Sequence, residues 1–325
     1  MTVVVPMYNV ERFVKRAVES ALEQTLTDLE VVVVDDGSTD RSASAVEEIS
    51  DPRVRILRQE NQGASAARNR GVSASRAEYV AFLDGDDCWL KDKLAKQVAL
   101  LDRRDDLDLV FSLCTVVDEA SKPFTVPGRV PDGDISYSQL LRDNYIRNGS
   151  SVFVRRRALL EAGGFDPSFA ACNDYEAWLR VAALRPNNVG CVREFLTLYR
   201  RRTGQITGNW RVLQSSFHQL LEKMETIQPE ATRKARPAAI RNMYRFLAVI
   251  AYKAGDVAKA FSLLARSFLS QPLAYLADPR SWLVSAGWLN RAVLGQKLYR
   301  SIEGPALKAW TRIDRSRQGA SAGSE

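Results

Sequence analysis

Residues 84–87 read Asp84-Gly85-Asp86-Asp87, directly after the apolar run Ala81-Phe82-Leu83. Three carboxylates within four residues repel one another unless a cation or strong donors lie between them. Two carboxylates with one residue between them, on a turn after a strand, can face the same cleft. That pattern suits a hard divalent cation, Mg2+ or Mn2+, shared with phosphate oxygens. An isolated Asp-x-Asp is more often a turn that caps the next helix. The surroundings shift the balance here. Two other apolar runs also end in polar residues, Pro6-Met7-Tyr8-Asn9 and Asp35-Asp36-Gly37-Ser38.

These runs must be strands, and the segments between them helices. Val3–Val5 is β-branched and ends at Pro6; residues 30–34, 54–57, 79–83 and 109–117 repeat the theme. Between them, residues 11–23 place Phe13, Val14, Ala17, Val18, Ala21 and Leu22 on one helical face. Residues 41–49, 64–74 and 91–103 also read as helices. Strands alternating with helices of about ten residues predict βαβ units and a mostly parallel sheet. In such sheets ligands bind beyond the carboxyl ends of the strands. Residues 120–148 are rich in Pro, Gly and Asp and read as a long excursion. Extended segments at 152–154 and 195–199, and helices at 156–162 and 174–184, follow. From about residue 212 the pattern turns helical, with helices expected at 213–227, 237–254, 257–269 and 282–302. The segment YKAGDVAKAFSLLARSFLSQP reads as a solitary helical hairpin without a repeat. Three regions are therefore expected: an α/β domain over 1–210, a helical region over 211–310 and a disordered tail over 311–325.

Composition removes several classes. The chain has 325 residues, 46% hydrophobic, enough for a sizeable core. Its four cysteines form no C-x-x-C pair, which argues against a zinc site and a disulfide framework. A single histidine, His218, excludes multi-histidine metal sites and disfavours a Ser-His-Asp hydrolase. The opening MTVVVP lacks the basic and long apolar regions of a secretory signal. No uncharged apolar run of about 18 residues occurs, so no spanning helix is expected. A cytoplasmic setting is the resulting expectation. Residues 211–325 carry 18 Lys and Arg against 8 Asp and Glu, so the net charge of +7 resides there. Trp282 and Trp288 stand among Arg280, Arg291, Lys297 and Arg300, the composition of an interfacial helix. Peripheral contact with anionic membrane on the inner face of the plasma membrane is thus weighed against an ordinary packed helix. A nucleic-acid partner explains this charge but none of the N-terminal motifs, and none is expected.

VVVPMYNVERFVKRAVESAL, VVVVDDGSTDRS, NQGASAARNRG and YVAFLDGDDCW occur in this order. Together they resemble the nucleotide-sugar domain of family-2 glycosyltransferases with the GT-A fold. GGFDPSF and NDYEAWLR are similar to that family's acceptor-side segment, and the resemblance covers roughly residues 1–210.

The resemblance implies roles residue by residue. Pro6, Tyr8, Asn9 and Glu11 line a nucleoside pocket, with Tyr8 able to stack on a base. Asp36 reads the base, and Asp35 caps the turn. Gly63, Arg68 and Asn69 lie on the helix below the diphosphate, where Arg68 either pairs with phosphate or braces Asp84. Asp84 contacts the ribose and Asp86 binds the metal, Mn2+ or Mg2+. Asp87 is a supporting partner or an alternative ligand. Transfer with inversion is a direct displacement at the anomeric carbon, and the attacking hydroxyl must lose its proton to a base. Asp174 stands at the family's catalytic aspartate, with Glu176 as fallback on the acceptor side. Gly149 and Ser150 resemble the acceptor-side loop.

Two departures stand out. Asn173-Asp174 replaces the common Glu-Asp. In YRRRTGQIT, Arg202 occupies a position that often carries a histidine; arginine does not ligate a metal but neutralises phosphate. The expected activity is transfer of a sugar from a nucleotide-diphosphate donor, most plausibly a UDP-sugar, to a glycan or lipid-linked hydroxyl. Two rivals are weighed. A sugar-nucleotide nucleotidylyltransferase needs a basic, Gly-rich loop where this chain has PMYNVE. A degenerate, non-catalytic binder does not explain why Asp36, Asp84, Asp86 and Asp174 are all present.

Overall fold

The computed structural model describes residues 1–123, 130–202, 204–281 and 284. They fall into two compact units, one over Met1–Ala239 and the other from Ile240 onward. The expected tail at 311–325, and all of the expected helix at 282–302 except Val284, lie outside the described residues.

The first unit is built on β1 (Thr2–Met7), α1 (Val14–Leu22), β2 (Glu30–Asp35), α2 (Ser42–Glu47), β3 (Val54–Arg58), α3 (Ala64–Ala74) and β4 (Tyr79–Phe82). β1 pairs in parallel with β2 on one side and β4 on the other, and β2 pairs in parallel with β3. Val3, Val4, Val5 and Val31 to Val34 are fully buried. An unbroken valine run, rather than an alternating one, is what a strand covered on both faces requires. The chain runs outward from β1 to β3, then returns to β4 on the other side of β1. That reversal opens a crevice at the carboxyl edge. Register puts Met7 opposite Asp35 and Val4 opposite Phe82, so the three polar strand ends reach the same edge.

Close helix–sheet contact maintains this edge. A Cβ on Gly71 of α3 would fall 2.3 Å from Val4 Cγ1 of β1. Gly71→Ala therefore forces α3 away from the sheet. The expected cost is about 1–3 kcal/mol, read as a lower urea midpoint at unchanged slope.

The second half of the sheet departs from parallel order. The short β5 (Cys88–Trp89) is followed by α4 (Lys93–Arg103), β6 (Leu109–Val117), α5 (Tyr137–Arg142), β7 (Val152–Arg155), α6 (Arg156–Glu161), α7 (Asn173–Leu184) and β8 (Val189–Arg200). The eight strands run in the order β3-β2-β1-β4-β7-β6-β8-β5. β7 lies antiparallel between β4 and β6, while β8 runs parallel to β6. β5 pairs antiparallel with the far end of β8, Cys88 opposite Leu198 and Trp89 opposite Thr197. This clip carries residues 200–202 back to the carboxylate turn at 84–87.

Several elements differ from the sequence reading. β8 begins at Val189 rather than 195, because pairing with β6 extends it through a bulge. The excursion at 120–148 contains α5, opened by a capping box between Ser136 and Gln139. After α8 (Trp210–Ile227), α9 runs from Pro229 to Lys253 and carries Pro237 inside it, not at its start. Pro229 takes the first position, where its missing N–H costs nothing. The second unit continues with α10 (Val257–Ser270), capped by Asp256, and α11 (Pro272–Ala277). Among the described residues no helix is long and apolar enough to cross a membrane.

Candidate active site

The loop after β1 is stitched to the loop after β2. Thr39 N donates to Asn9 Oδ1 at 2.9 Å, and Arg41 N to Glu11 Oε2 at 2.8 Å. Val10 N donates to Ser42 Oγ at 2.8 Å. Asn9 has φ 50, a left-handed value that asparagine tolerates well. These bonds leave Tyr8 47% exposed, its ring available for stacking. Pro6 is half-buried, and its carbonyl oxygen lies 3.5 Å from where a Cβ on Gly85 would be. Asp35 accepts from Ser38 N at 2.9 Å and makes the turn. Asp36, buried at 3% exposure, accepts from Gln59 Nε2, Gln62 N and Gly63 N at 2.7–2.9 Å. It thereby fixes the loop that starts α3.

Around the carboxylate turn, each acid has its own counterpart. Arg68 Nη2 donates to Asp84 Oδ1 at 2.6 Å, and Nη1 to Asn173 Oδ1 at 3.2 Å. Of the two partners the sequence offered to Arg68, the structure places Asp84 beside it. Burial opposes a charged guanidinium, but Asp84, Asp174 and Asp87 outweigh it and hold Arg68 protonated. Asp87 is fully buried; it accepts from Ser150 Oγ at 2.5 Å and Arg200 N at 2.8 Å. Burial, with Asp86 and Asp84 beside it, raises its carboxyl well above the ordinary range. Ser150 also receives Asp84 N at 3.0 Å, and its carbonyl receives Trp89 Nε1 at 2.7 Å. Ser150, expected on the acceptor side, is fully buried and braces this turn.

Asp86 is held from the loop after β8. Arg202 Nε donates to its Oδ2 at 2.7 Å and Gln205 Nε2 to the same atom at 3.0 Å. Oδ1 receives no hydrogen bond from the described residues. Arg200 Nε donates to the Asp86 carbonyl at 2.8 Å and Nη1 to that of Asp118 at 2.9 Å. Among the described residues no three His, Cys, Asp or Glu side chains are arranged to hold a metal. Asp86 Oδ1 fits a hard cation only if phosphate oxygens complete the shell, which is how Mg2+ and Mn2+ are usually bound beside nucleotides.

The base candidate arrives from far along the chain. Cys172, at φ 59, turns the chain into α7 and sets Asp174 in its first turn. Tyr175 N donates to Asp174 Oδ1 at 2.7 Å, and the helix N-terminus favours the anion. A Cβ on Gly149 would stand 3.6 Å from Arg68 Nη2 and 3.8 Å from Asp174 Oδ2. Gly149 thus lines the space where Arg68 and Asp174 come together. Burial raises the Asp174 carboxyl above its ordinary value, Arg68 pulls it back, and Asp84 raises it again.

Glu176 is placed elsewhere. It is fully buried, bonded by Arg180 Nε at 2.5 Å and Nη2 at 2.7 Å, with Lys223 Nζ at 2.8 Å. Lys223 also reaches Asp166 Oδ2 at 2.6 Å. With both oxygens ion-paired, Glu176 ties α7 to α8 and to the 163–168 loop. It is not positioned as a fallback base. The sequence pointed to neither Gln205 nor a role for Arg200. Arg200 and Arg202 fall on one side of an alternating strand end and Arg201 on the other; that period was the available signal.

A sheet reversal with carboxylates at its edge and a helix-borne aspartate facing them defines a GT-A glycosyltransferase architecture. The same fold is found in the mannosyltransferase PcManGT from Pyrobaculum calidifontis, solved with GDP-Man and Mn2+. Its TM-score is 0.59 at 19% identity, over 95% of this chain and 84% of that one. Residues 2–162 match the model of Glycosyl transferase family 2, and the chain belongs to that family. It is 29% identical over 220 residues to the Escherichia coli UDP-Glc:alpha-D-GlcNAc-diphosphoundecaprenol beta-1,3-glucosyltransferase WfgD, covering 67% of this chain and 79% of that one. It is 33% identical over 174 residues to the putative glycosyltransferase EpsH of Bacillus subtilis, covering 50% and 48%. Some curated relatives are spanned over only about a third to a half of their length.

Proposed function

We propose that this chain transfers a sugar from a UDP-sugar to a hydroxyl of a lipid-linked or growing glycan, with inversion at the anomeric carbon. The observation that carries the reading is the approach of Asp174 to the Arg68–Asp84 pair, across about a hundred residues of sequence. In this reading Tyr8 stacks on the base and Asp36 reads its edge through the loop that it fixes. Asp84, oriented by Arg68, takes the ribose. Asp86 would hold a divalent cation, which neutralises the leaving diphosphate when bound. Arg202 adds positive charge to the same phosphates. Asp174 accepts the proton of the attacking hydroxyl. The likeness to WfgD, whose name specifies UDP-Glc and a diphosphoundecaprenol acceptor, supports the donor and acceptor classes. The basic, tryptophan-bearing sequence beyond residue 280 supports peripheral contact with an anionic membrane at its cytoplasmic face.

The test is a transfer assay with labelled UDP-sugars and a sugar-diphosphate-lipid acceptor. Label moving to the lipid with release of UDP supports the reading. Transfer from none of the common UDP-sugars would sink it.

A pH consequence follows. Asp174 works ionised, and its carboxyl lies above the ordinary carboxylate value of about 3.9. Activity is full above the raised pKa and falls as pH drops through it. The acid limb of kcat/KM is therefore expected above the ordinary carboxylate range. A limb at or below that range contradicts Asp174 as base.

A further inference from the structure

Asp86 is the acid assigned to the cation, yet the structure already gives it one. The Arg202 guanidinium donates to Oδ2 at 2.7 Å, and Gln205 donates to the same oxygen at 3.0 Å. The two donors act as one device. Gln205 Oε1 receives Arg202 N at 3.3 Å, and Gln205 Nε2 also reaches the Arg200 carbonyl at 2.9 Å. Arg200 in turn grips the backbone of Asp86 at 2.8 Å. The loop after β8 is thus anchored on the carboxylate turn, with its arginine aimed at the acid. The Asp86 side chain is only 11% exposed, so water screens this pair weakly.

A divalent ion on Asp86 must share one small carboxylate with a fixed guanidinium. The two cations repel, and the repulsion is strong in a poorly hydrated site. A diphosphate changes the balance, because it offers Arg202 a second, doubly charged partner that a guanidinium can grip with two donors.

We propose that Arg202 is a latch on Asp86: it disfavours divalent cation binding to the empty enzyme, and a nucleoside diphosphate releases it by drawing the guanidinium onto its phosphates. Cation and donor binding are then coupled, and linkage makes the coupling reciprocal. The empty site does not accumulate free divalent cation, and donor and cation enter together. This rests on the assignment of Asp86 to the cation made above.

The test is Mn2+ titration followed by electron paramagnetic resonance, first with no nucleotide. Arg202→Gln is expected to bind Mn2+ about tenfold or more tightly than wild type, within the usual range of coupling between sites. Arg202→Lys, which keeps the charge, is expected to fall between the two. Arg201→Gln removes a nearby charge that makes no bond to Asp86, and it is expected to match wild type. Asp86→Asn added to Arg202→Gln is expected to abolish the gain. With UDP present, Mn2+ affinity should rise more in wild type than in Arg202→Gln.

Equal Mn2+ affinity in wild type and Arg202→Gln without nucleotide, both folded by circular dichroism, overturns the latch. So does an equal gain in Arg201→Gln, which would indicate general electrostatics. If no protein form binds UDP while the nucleotide-free arm behaves as described, the block of the cation site by Arg202 stands, and its release by the nucleotide fails together with the donor assignment.

Discussion

Asp174→Asn is expected to lower kcat by about 10²–10⁴-fold while leaving UDP-sugar binding nearly unchanged. The substitution keeps shape and removes the proton acceptor. Asp174 makes its one local bond to Tyr175 N through Oδ1, and an amide oxygen can still accept it. Helix α7 should therefore start as before. The Arg68 guanidinium keeps Asp84 as its partner at 2.6 Å, so the donor side is preserved. Single-turnover kinetics with saturating donor separate the two effects. Transfer at the wild-type rate would end the base assignment. Equal losses in donor affinity and turnover would mean that Asp174 holds the donor and does not take the proton.

Arg68→Met is expected to cost about 1–3 kcal/mol of stability at neutral pH, because it leaves the half-buried Asp84 and Asp174 without their shared cation. Arg68 is 5% exposed and stands between Asp84 and Asp174. Methionine fills most of the volume, so the loss reports charge more than a cavity. Its pH dependence has a definite sign. The Asp174 carboxyl is already raised in the folded protein, and losing Arg68 raises it further. A carboxyl raised above its unfolded value destabilises the fold where it is ionised, above that range. The deficit should shrink as pH falls and Asp174 takes up its proton. Urea unfolding from pH 7 to pH 4 measures this. A deficit that stays constant with pH would mean that Arg68 acts through packing.

How far the sequence carried these conclusions depends on what each residue touches. The valine runs of β1 and β2 were legible because burial on both faces demands unbroken apolar residues. Local pattern put Asp36 and Asp84 at strand ends and Asp174 at a helix start, and the resemblance to the family supplied the roles expected of them. The arrangement around Asp86 was not. It depends on β5 pairing with β8, a contact across more than a hundred residues that leaves no periodic trace in either segment. Arg200 carried no assigned role for the same reason, yet only 5% of it is exposed, and it binds three backbone carbonyls. Glu176 looked available because it follows Asp174 by two residues. Two residues along a helix turn a side chain by about 200° at 3.6 residues per turn. That rotation carries it away from Asp174's face and into the Arg180–Lys223 pair. Pro237 suggested a helix start by its chemistry, but α9 accommodates it in its interior.

The central claim is that the edge formed by the β1, β2 and β4 strand ends takes a nucleoside diphosphate. Calorimetric titration of the whole chain with UDP, GDP, ADP and CDP, each with Mn2+ and with EDTA, tests it most directly. The account predicts saturable binding of UDP with Mn2+, weaker binding in EDTA, and a stabilisation of about 2.7 kcal/mol when UDP is present at a hundred times its Kd. Absence of binding by any of the four nucleotides in either condition would contradict it.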